Sequence, residues 1–257
     1  MRLNGLRAAV RSTLEVARLA RGHYLTDAVK FPYRAEFGTV WASVDWVPGW
    51  FHEGSAAVLF GVMKAGAPGS IVEIGSYLGR STTFFALSLR ALGLAGQVVA
   101  VDPHTGDRQH LEGLGIASLP SLDLFQLHCR AVGVDDLVVP KVTTSLEAAA
   151  EWSGPIDVLF VDGWHSYQAV IDDGRAWLPH LAENAVAMFD DYAAYEEVRT
   201  AVEQLAAEGT FHLWGSIFGQ AIGGRKPTPP PAVSRALRLA GLGRIRSLTT
   251  SDGPARR

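Results

Sequence analysis

The chain has a single cysteine, Cys129, in 257 residues. That excludes an internal disulfide and fits a reducing compartment. No apolar run reaches the roughly 18–20 residues that a membrane span requires. The first 25 residues carry arginines throughout and lack the uninterrupted apolar centre of a secretory signal. Basic charge is also scarce in the body: residues 31–224 hold 9 Lys/Arg against 23 acids. A body of that sign argues against nucleic acid as a partner, since phosphate binding needs a basic face. What is present is apolar residue, 48% of the chain, enough to build one substantial core. These absences lead us to expect a soluble cytoplasmic protein with no stable membrane insertion.

The net charge of −3 hides an uneven distribution. Residues 1–30 carry 6 basic against 2 acidic side chains, and residues 225–257 carry 8 against 1, so both ends are basic. We expect those ends to contact the acidic body. Within residues 3–20, Leu3, Leu6, Val10, Leu14 and Ala17 share one helical stripe. An irregular aromatic-rich stretch follows, with Phe31, Tyr33, Phe37, Trp41, Trp46 and Trp50, and reads as a lid or substrate wall or, equally, as ordinary packing. The expected organisation is a terminal helix and aromatic segment over 1–50, a central domain over 51–224, and a proline-rich linker with a basic tail over 225–257 that includes a short basic helix candidate. The terminal helix and edge strands suit a homo-oligomer, a dimer most simply.

From residue 70, apolar runs alternate with helical patterns. "SIVEIGS", "QVVAVDP", "VVPKV", "IDVLFVDG" and "AVAMFDDY" read as five strands, with helices over 79–93, 121–133, 166–181 and 195–208. "TFHLWGSIFGQAIGG" reads as two further strands joined by a turn. Continuous apolar strands are expected where helices cover both faces of a parallel sheet. The fold class is therefore α/β: a doubly wound, Rossmann-like sheet of seven mostly parallel strands with an antiparallel strand at the end. In such sheets ligands bind at the carboxyl ends of strands. Glu73, Asp102, Asp162, Asp190 and Asp191 all fall there.

The first strand runs into "VEIGSYLGRST", whose glycines are spaced G-x-x-x-G. A dinucleotide fingerprint would read G-x-G-x-x-G, so a nicotinamide-dependent oxidoreductase is disfavoured. The stretch resembles the first motif of class I S-adenosylmethionine-dependent methyltransferases, E-x-G-x-x-x-G. The resemblance implies S-adenosyl-L-methionine as methyl donor. Glu73, Gly75, Ser76, Gly79 and Ser81 would line its methionine end, Asp102 would accept hydrogen bonds from its ribose, and Ser145 would lie near the adenine. Thr144 begins "TSLE", which also reads as a helix capping box.

At the other end of the sheet, "VDGWHSY" is followed 28 residues after Asp162 by "DDY". If their strands are neighbours, about 4.8 Å separates them. Carboxylates crowded there repel one another, and a divalent cation removes the conflict. Oxygen ligands with open water positions suit Mg²⁺ or Mn²⁺ rather than zinc. The two segments resemble the metal-dependent O-methyltransferases that act on sugar hydroxyls, such as those of macrolide glycosides and mycobacterial rhamnosyl and mannoside products. That resemblance implies Asp162, Asp190 and Asp191 as metal ligands, Asp162 also beside the methyl donor, and His165 as the base, with a small saccharide or glycoside as substrate. Relatives often carry Glu-Asp where this chain has Asp190–Asp191. The catechol and caffeoyl-CoA branch typically has lysine at the third position after the Asp and a later Asp-Asn pair, whereas this chain has His165 and Asp191. The alternatives are a catechol-like or polyketide O-methyltransferase and a non-catalytic module that binds S-adenosylmethionine. Trp164 and Tyr192 are candidates for the substrate side, His52 for a substrate contact, and His104 reads as a surface loop residue.

Overall fold

The structure is a computed structural model, and it describes residues 33–105 and 120–239. The helical stripe expected over residues 3–20, residues 1–32 generally, and the tail beyond 239 lie outside the described residues.

The elements follow one another as α1 (Arg34–Val44), α2 (Glu53–Gly66), β1 (Ser70–Ile74), α3 (Arg80–Ala91), β2 (Gln97–Val101), α4 (Ser121–Val132), β3 (Val138–Lys141), α5 (Ser145–Ala150), β4 (Ile156–Val161), α6 (Tyr167–Trp177), β5 (Leu181–Phe189), α7 (Glu196–Ala207), β6 (His212–Ile217), β7 (Gln220–Gly224) and α8 (Pro231–Leu239). The strands form one seven-stranded sheet in the order β3-β2-β1-β4-β5-β7-β6. The first five named are parallel; β7 runs antiparallel to both β5 and β6. This is the expected doubly wound architecture. Pro140 is tolerated because β3 is an edge strand, where a missing amide donor costs no ladder bond on the open side.

Strand alternation divides the core into two layers. Ile71, Val158, Phe160, Val186 and Met188 face a layer with Phe60, Phe84, Phe85 and Phe125, under α1 to α4 and α8. Val72, Ile74, Leu159, Val161, Ala187 and Phe189 face a second layer with Ile171, Trp177, Val202 and Leu205, under α5 to α7. The central strands β1, β4 and β5 are thus packed on both faces, which is why their sequences are largely unbroken apolar runs rather than alternating.

One local reading changes. The aromatic stretch expected to be irregular contains α1, because Phe37, Val40 and Val44 fall at helical spacing and are buried. Trp41 packs beside them against Phe84 and Phe51. The helix expected after the proline-rich stretch is present as α8, which carries Val233, Ala236 and Leu237 into the same layer as α2, all at most 3% exposed. Phe218 and Gly219 join β6 to β7 with positive φ values of 47° and 88°, the pattern of a two-residue hairpin turn.

Candidate active site

The β1–α3 turn is built by close backbone approach. Gly75 has φ 87°, and a Cβ placed on it would lie 2.1 Å from the carbonyl oxygen of Asp162. Only glycine lets the chain leaving β1 press against the chain leaving β4. Gly79, at φ 89°, starts α3 with no side-chain cap. Tyr77 sits between them at φ 44°. Its amide donates to Asp102 Oδ2 at 2.7 Å, and the His104 amide donates to Oδ1 at 2.7 Å. Asp102 at the end of β2 therefore steadies the turn that leaves β1.

Glu73 lies beneath this turn and is fully buried. Thr82 donates to its Oε2, while Oε1 has no hydrogen-bond partner among the described residues. Ser76 Oγ is buried and unpartnered in the same way. Burial pushes the Glu73 carboxyl up to about 7, opposed by hydrogen bonds from Ser81 and Thr82 and aided by the charge of Asp102. Two buried oxygens left without partners at a glycine turn are a common sign of a site that a polar ligand completes.

Parallel pairing aligns the second cluster. Val161 is opposite Phe189, so the residues that follow each emerge side by side. The Asp162 amide donates to Ile74 O at 2.8 Å and the Asp190 amide to Val161 O at 2.9 Å, carrying the ladder one residue past each strand. At Asp191 the backbone enters the left-handed region, φ 55°, which aspartate tolerates better than most residues. The consecutive carboxylates consequently part. Asp190 Oδ1 accepts from Gln220 Nε2 at 2.8 Å and from the Asp191 amide at 2.9 Å. Asp191 joins Asp162 and His165, whose ligand-type atoms all lie within 4.8 Å of one another. His165 Nε2 is 3.0 Å from Asp191 Oδ2, and its ring stacks on Tyr195 with centroids 4.6 Å apart. Ser166 caps α6 through the Ala169 amide, so the histidine directly precedes a fixed helix start.

The electrostatics are strained in the direction a cation would relieve. Burial, then the charges of Asp190, Asp191 and Glu73, raises the Asp162 carboxyl well above the usual carboxylate range. Asp190 is raised too, first by burial, with the Gln220 hydrogen bond opposing.

Other sequence candidates are placed differently. Ser145 Oγ accepts from the Trp177 indole at 2.9 Å and also bonds Asp173. Thr144 forms the capping box of α5 with Glu147. His104 is not a surface side chain: it is 3% exposed, set against Phe125 and near Ser121. Tyr192 is buried and donates to Glu203 at 3.0 Å, so its hydroxyl is turned from the site. Trp164 is 60% exposed beside the cluster, and His52 is an exposed residue preceding α2. Gln220 and Tyr195 had no signal in the sequence. Both are ordinary polar or aromatic residues brought in by topology.

Residues 72–192, which hold the turn, the acidic cluster and the histidine, match the family model described as a methyltransferase domain. Over that span, 121 of the 257 residues, the chain is similar to methyltransferase domains. Structures of the same fold include the O-methyltransferase NovP, with a TM-score of 0.57 at 18% identity over 85% of this chain and 99% of that one. TomG from Streptomyces achromogenes, an O-methyltransferase involved in tomaymycin synthesis and solved with S-adenosylmethionine, gives 0.51 at 16% identity over 83% and 96%. An O-methyltransferase from Bacillus cereus, solved with S-adenosylhomocysteine, gives 0.50 at 16% over 83% and 98%.

Curated relatives are more distant in extent. An uncharacterized protein of Acanthamoeba polyphaga mimivirus is 27% identical over 142 residues, 53% of this chain and 59% of that protein. An uncharacterized protein of Sinorhizobium fredii is 31% identical over 125 residues, 48% of this chain and 13% of that protein. The chain thus covers less than two thirds of the length of either. The methyltransferase class expected from the sequence agrees with the description of the matching family model, and the expected fold with that of the solved structures. Among the described residues no helix is long and apolar enough to cross a membrane.

Proposed function

We propose that the methyltransferase domain transfers a methyl group from S-adenosyl-L-methionine to a hydroxyl of a saccharide or glycoside, with a divalent cation, Mg²⁺ or Mn²⁺, at the acidic cluster. The supporting observation is the contact of Gly75 with the Asp162 backbone, which sets the donor turn directly beside the Asp162, His165 and Asp191 group. The donor set fits a cation. Its carboxylates come from separate strand ends, and burial, with the neighbouring charges of Asp190, Asp191 and Glu73 behind it, raises Asp162. Asp162 and Asp191 would hold the ion. Asp190, engaged through Oδ1 with Gln220, fixes the left-handed turn that aims Asp191. The unpartnered oxygens of Glu73 and Ser76, with Gly75, Gly79, Ser81 and Asp102, fit the methionine and ribose ends of the donor.

When bound, S-adenosylmethionine supplies a methyl group already activated on a sulfonium, and the cation supplies positive charge that lowers the cost of ionising a hydroxyl. The protein orients the acceptor and handles its proton. His165 borders the cluster and would take the acceptor hydroxyl's proton, while S-adenosylmethionine, when bound, would give up its methyl group and leave as S-adenosylhomocysteine. Asp191 Oδ2, 3.0 Å from His165 Nε2, stabilises the resulting imidazolium, and Tyr195 keeps the ring in plane. The exposed Trp164 offers an apolar face for a sugar ring.

The test is methyl transfer from labelled S-adenosylmethionine to a panel of glycosides and phenols, with Mg²⁺ and with a chelator. Transfer to glycosides that the chelator stops supports the reading. Transfer to phenols alone would replace the acceptor class.

A further inference from the structure

The segment between α1 and α2 is fastened to the β1–α3 turn at several points, although no step above uses it. Arg80, the first residue of α3, donates through Nη1 to Gly49 O at 3.0 Å and through Nη2 to Asp45 Oδ1 at 2.6 Å. Its guanidinium also lies over the Trp41 ring, 5.1 Å from the centroid. The side chain is only 11% exposed, and burial lowers its pKa while Asp45 opposes the shift. Trp46 meets His128 edge-on at 5.5 Å, and His128 Nδ1 reaches Leu78 O of the turn at 2.7 Å. Trp50 lies 5.6 Å from Tyr77, the residue at the centre of the turn. Residues 45–50 and 76–80 are therefore held as one unit.

Trp46 and Trp50 are 47% and 49% exposed while Phe51 is 2% exposed, and of the two it is Trp50 that meets Tyr77 at the centre of the turn. A large aromatic held in place by buried contacts, yet not itself used as core, is spare apolar surface next to the donor turn. We infer that Arg80 is a positioning residue for the cofactor site: its bonds to Gly49 and Asp45 hold Trp50 against Tyr77 so that the two rings wall the methionine end of S-adenosylmethionine. The inference rests on reading the β1–α3 turn as the donor site and assigns that site a second bank. A lysine could not replace Arg80, since one ammonium cannot bridge a carbonyl and a carboxylate while stacking on an indole. Gly49 fits the same picture, because a Cβ there would lie 3.1 Å from Arg80 Cβ.

Titration calorimetry with S-adenosylhomocysteine tests this without any acceptor. Arg80→Met and Trp50→Ala should each weaken binding about tenfold, and the double variant should be no weaker than Trp50→Ala alone, because one residue acts through the other. Asp45→Asn removes a single exposed partner and should weaken binding in the same direction by a smaller factor, which keeps the test available should Arg80→Met fail to fold. Unchanged affinity in Asp45→Asn and Arg80→Met, or losses that multiply in the double variant, would overturn the inference while leaving the donor site intact. Failure of the unaltered chain to bind S-adenosylhomocysteine would remove the donor-site reading, and this inference with it.

Discussion

His165 Nε2 lies 3.0 Å from Asp191 Oδ2, although one residue follows β4 and the other follows β5. Neither strand alone makes the pair. It needs the parallel register that sets Val161 opposite Phe189, the left-handed turn at Asp191, and the cap at Ser166. A proton acceptor held beside a carboxylate in this way is expected to act as a base. His165→Ala should lower kcat by about 10²–10⁴-fold while the dissociation constant for S-adenosylhomocysteine stays unchanged. Single-turnover rates and calorimetry measure the two effects separately.

Asp162 is held where its charge is unfavourable, so replacing it should separate stability from activity. Asp162→Asn is expected to melt at a higher temperature than the unaltered protein in chelator, because the repelling charge is gone. The same variant should lose the stabilisation that Mg²⁺ confers on the unaltered protein. Thermal unfolding with and without the metal gives both readings, and turnover should fall at least about a hundredfold.

Burial pushes the Glu73 carboxyl up to about 7 in the folded protein, against an ordinary value of 4.5. A raised acid binds its proton more tightly when folded, so its contribution to stability is complete below pH 4.5 and is lost as pH rises through about 7. The loss is of order 3 kcal/mol by the usual conversion of pKa shifts. Glu73→Gln should flatten this part of the stability profile, leaving the difference between the two proteins small at pH 4.5 and largest above pH 7. Urea unfolding across that range measures it.

Gly75→Ala has no room. Its Cβ would sit 2.1 Å from the Asp162 carbonyl oxygen at a φ of 87°. Either the β1 turn or the loop after β4 must move, which is expected to cost about 2–4 kcal/mol. Binding of S-adenosylhomocysteine and Mg²⁺ should weaken together, since the displaced backbone belongs to both sites.

Gln220 reaches Asp190 from β7, and removing it should be felt at the metal. Gln220→Leu is expected to weaken Mg²⁺ binding about tenfold, because Asp190, which fixes the turn that aims Asp191, loses its partner. The affinity for S-adenosylhomocysteine should be unaffected. Metal titration followed by calorimetry distinguishes the two.

Much of this was legible in the chain itself. Unbroken apolar strands identify a buried parallel sheet, and acids at the strand ends mark the ligand side. The glycine spacing at 75 and 79 separates this turn from a dinucleotide fold. Pairwise partners across the sheet were not legible. Asp190 turns toward Gln220 because β7 inserts antiparallel between β5 and β6, a topology no local pattern announces. Ser145 was expected near the adenine, yet its hydroxyl is engaged by Trp177, 32 residues away on α6. His104 is buried by Phe125 on α4, and Tyr192 by its bond to Glu203 on α7. By contrast, the helical spacing of Phe37, Val40 and Val44 was present in the sequence, masked by the aromatic residues around it.

The most direct measurement is methyl transfer to a simple glycoside panel with S-adenosylmethionine, before and after removal of divalent cations. We expect O-methylated glycoside with Mg²⁺ or Mn²⁺, no product in chelator, and recovery when the metal is restored. Full-rate transfer in chelator would contradict the role given to Asp162 and Asp191.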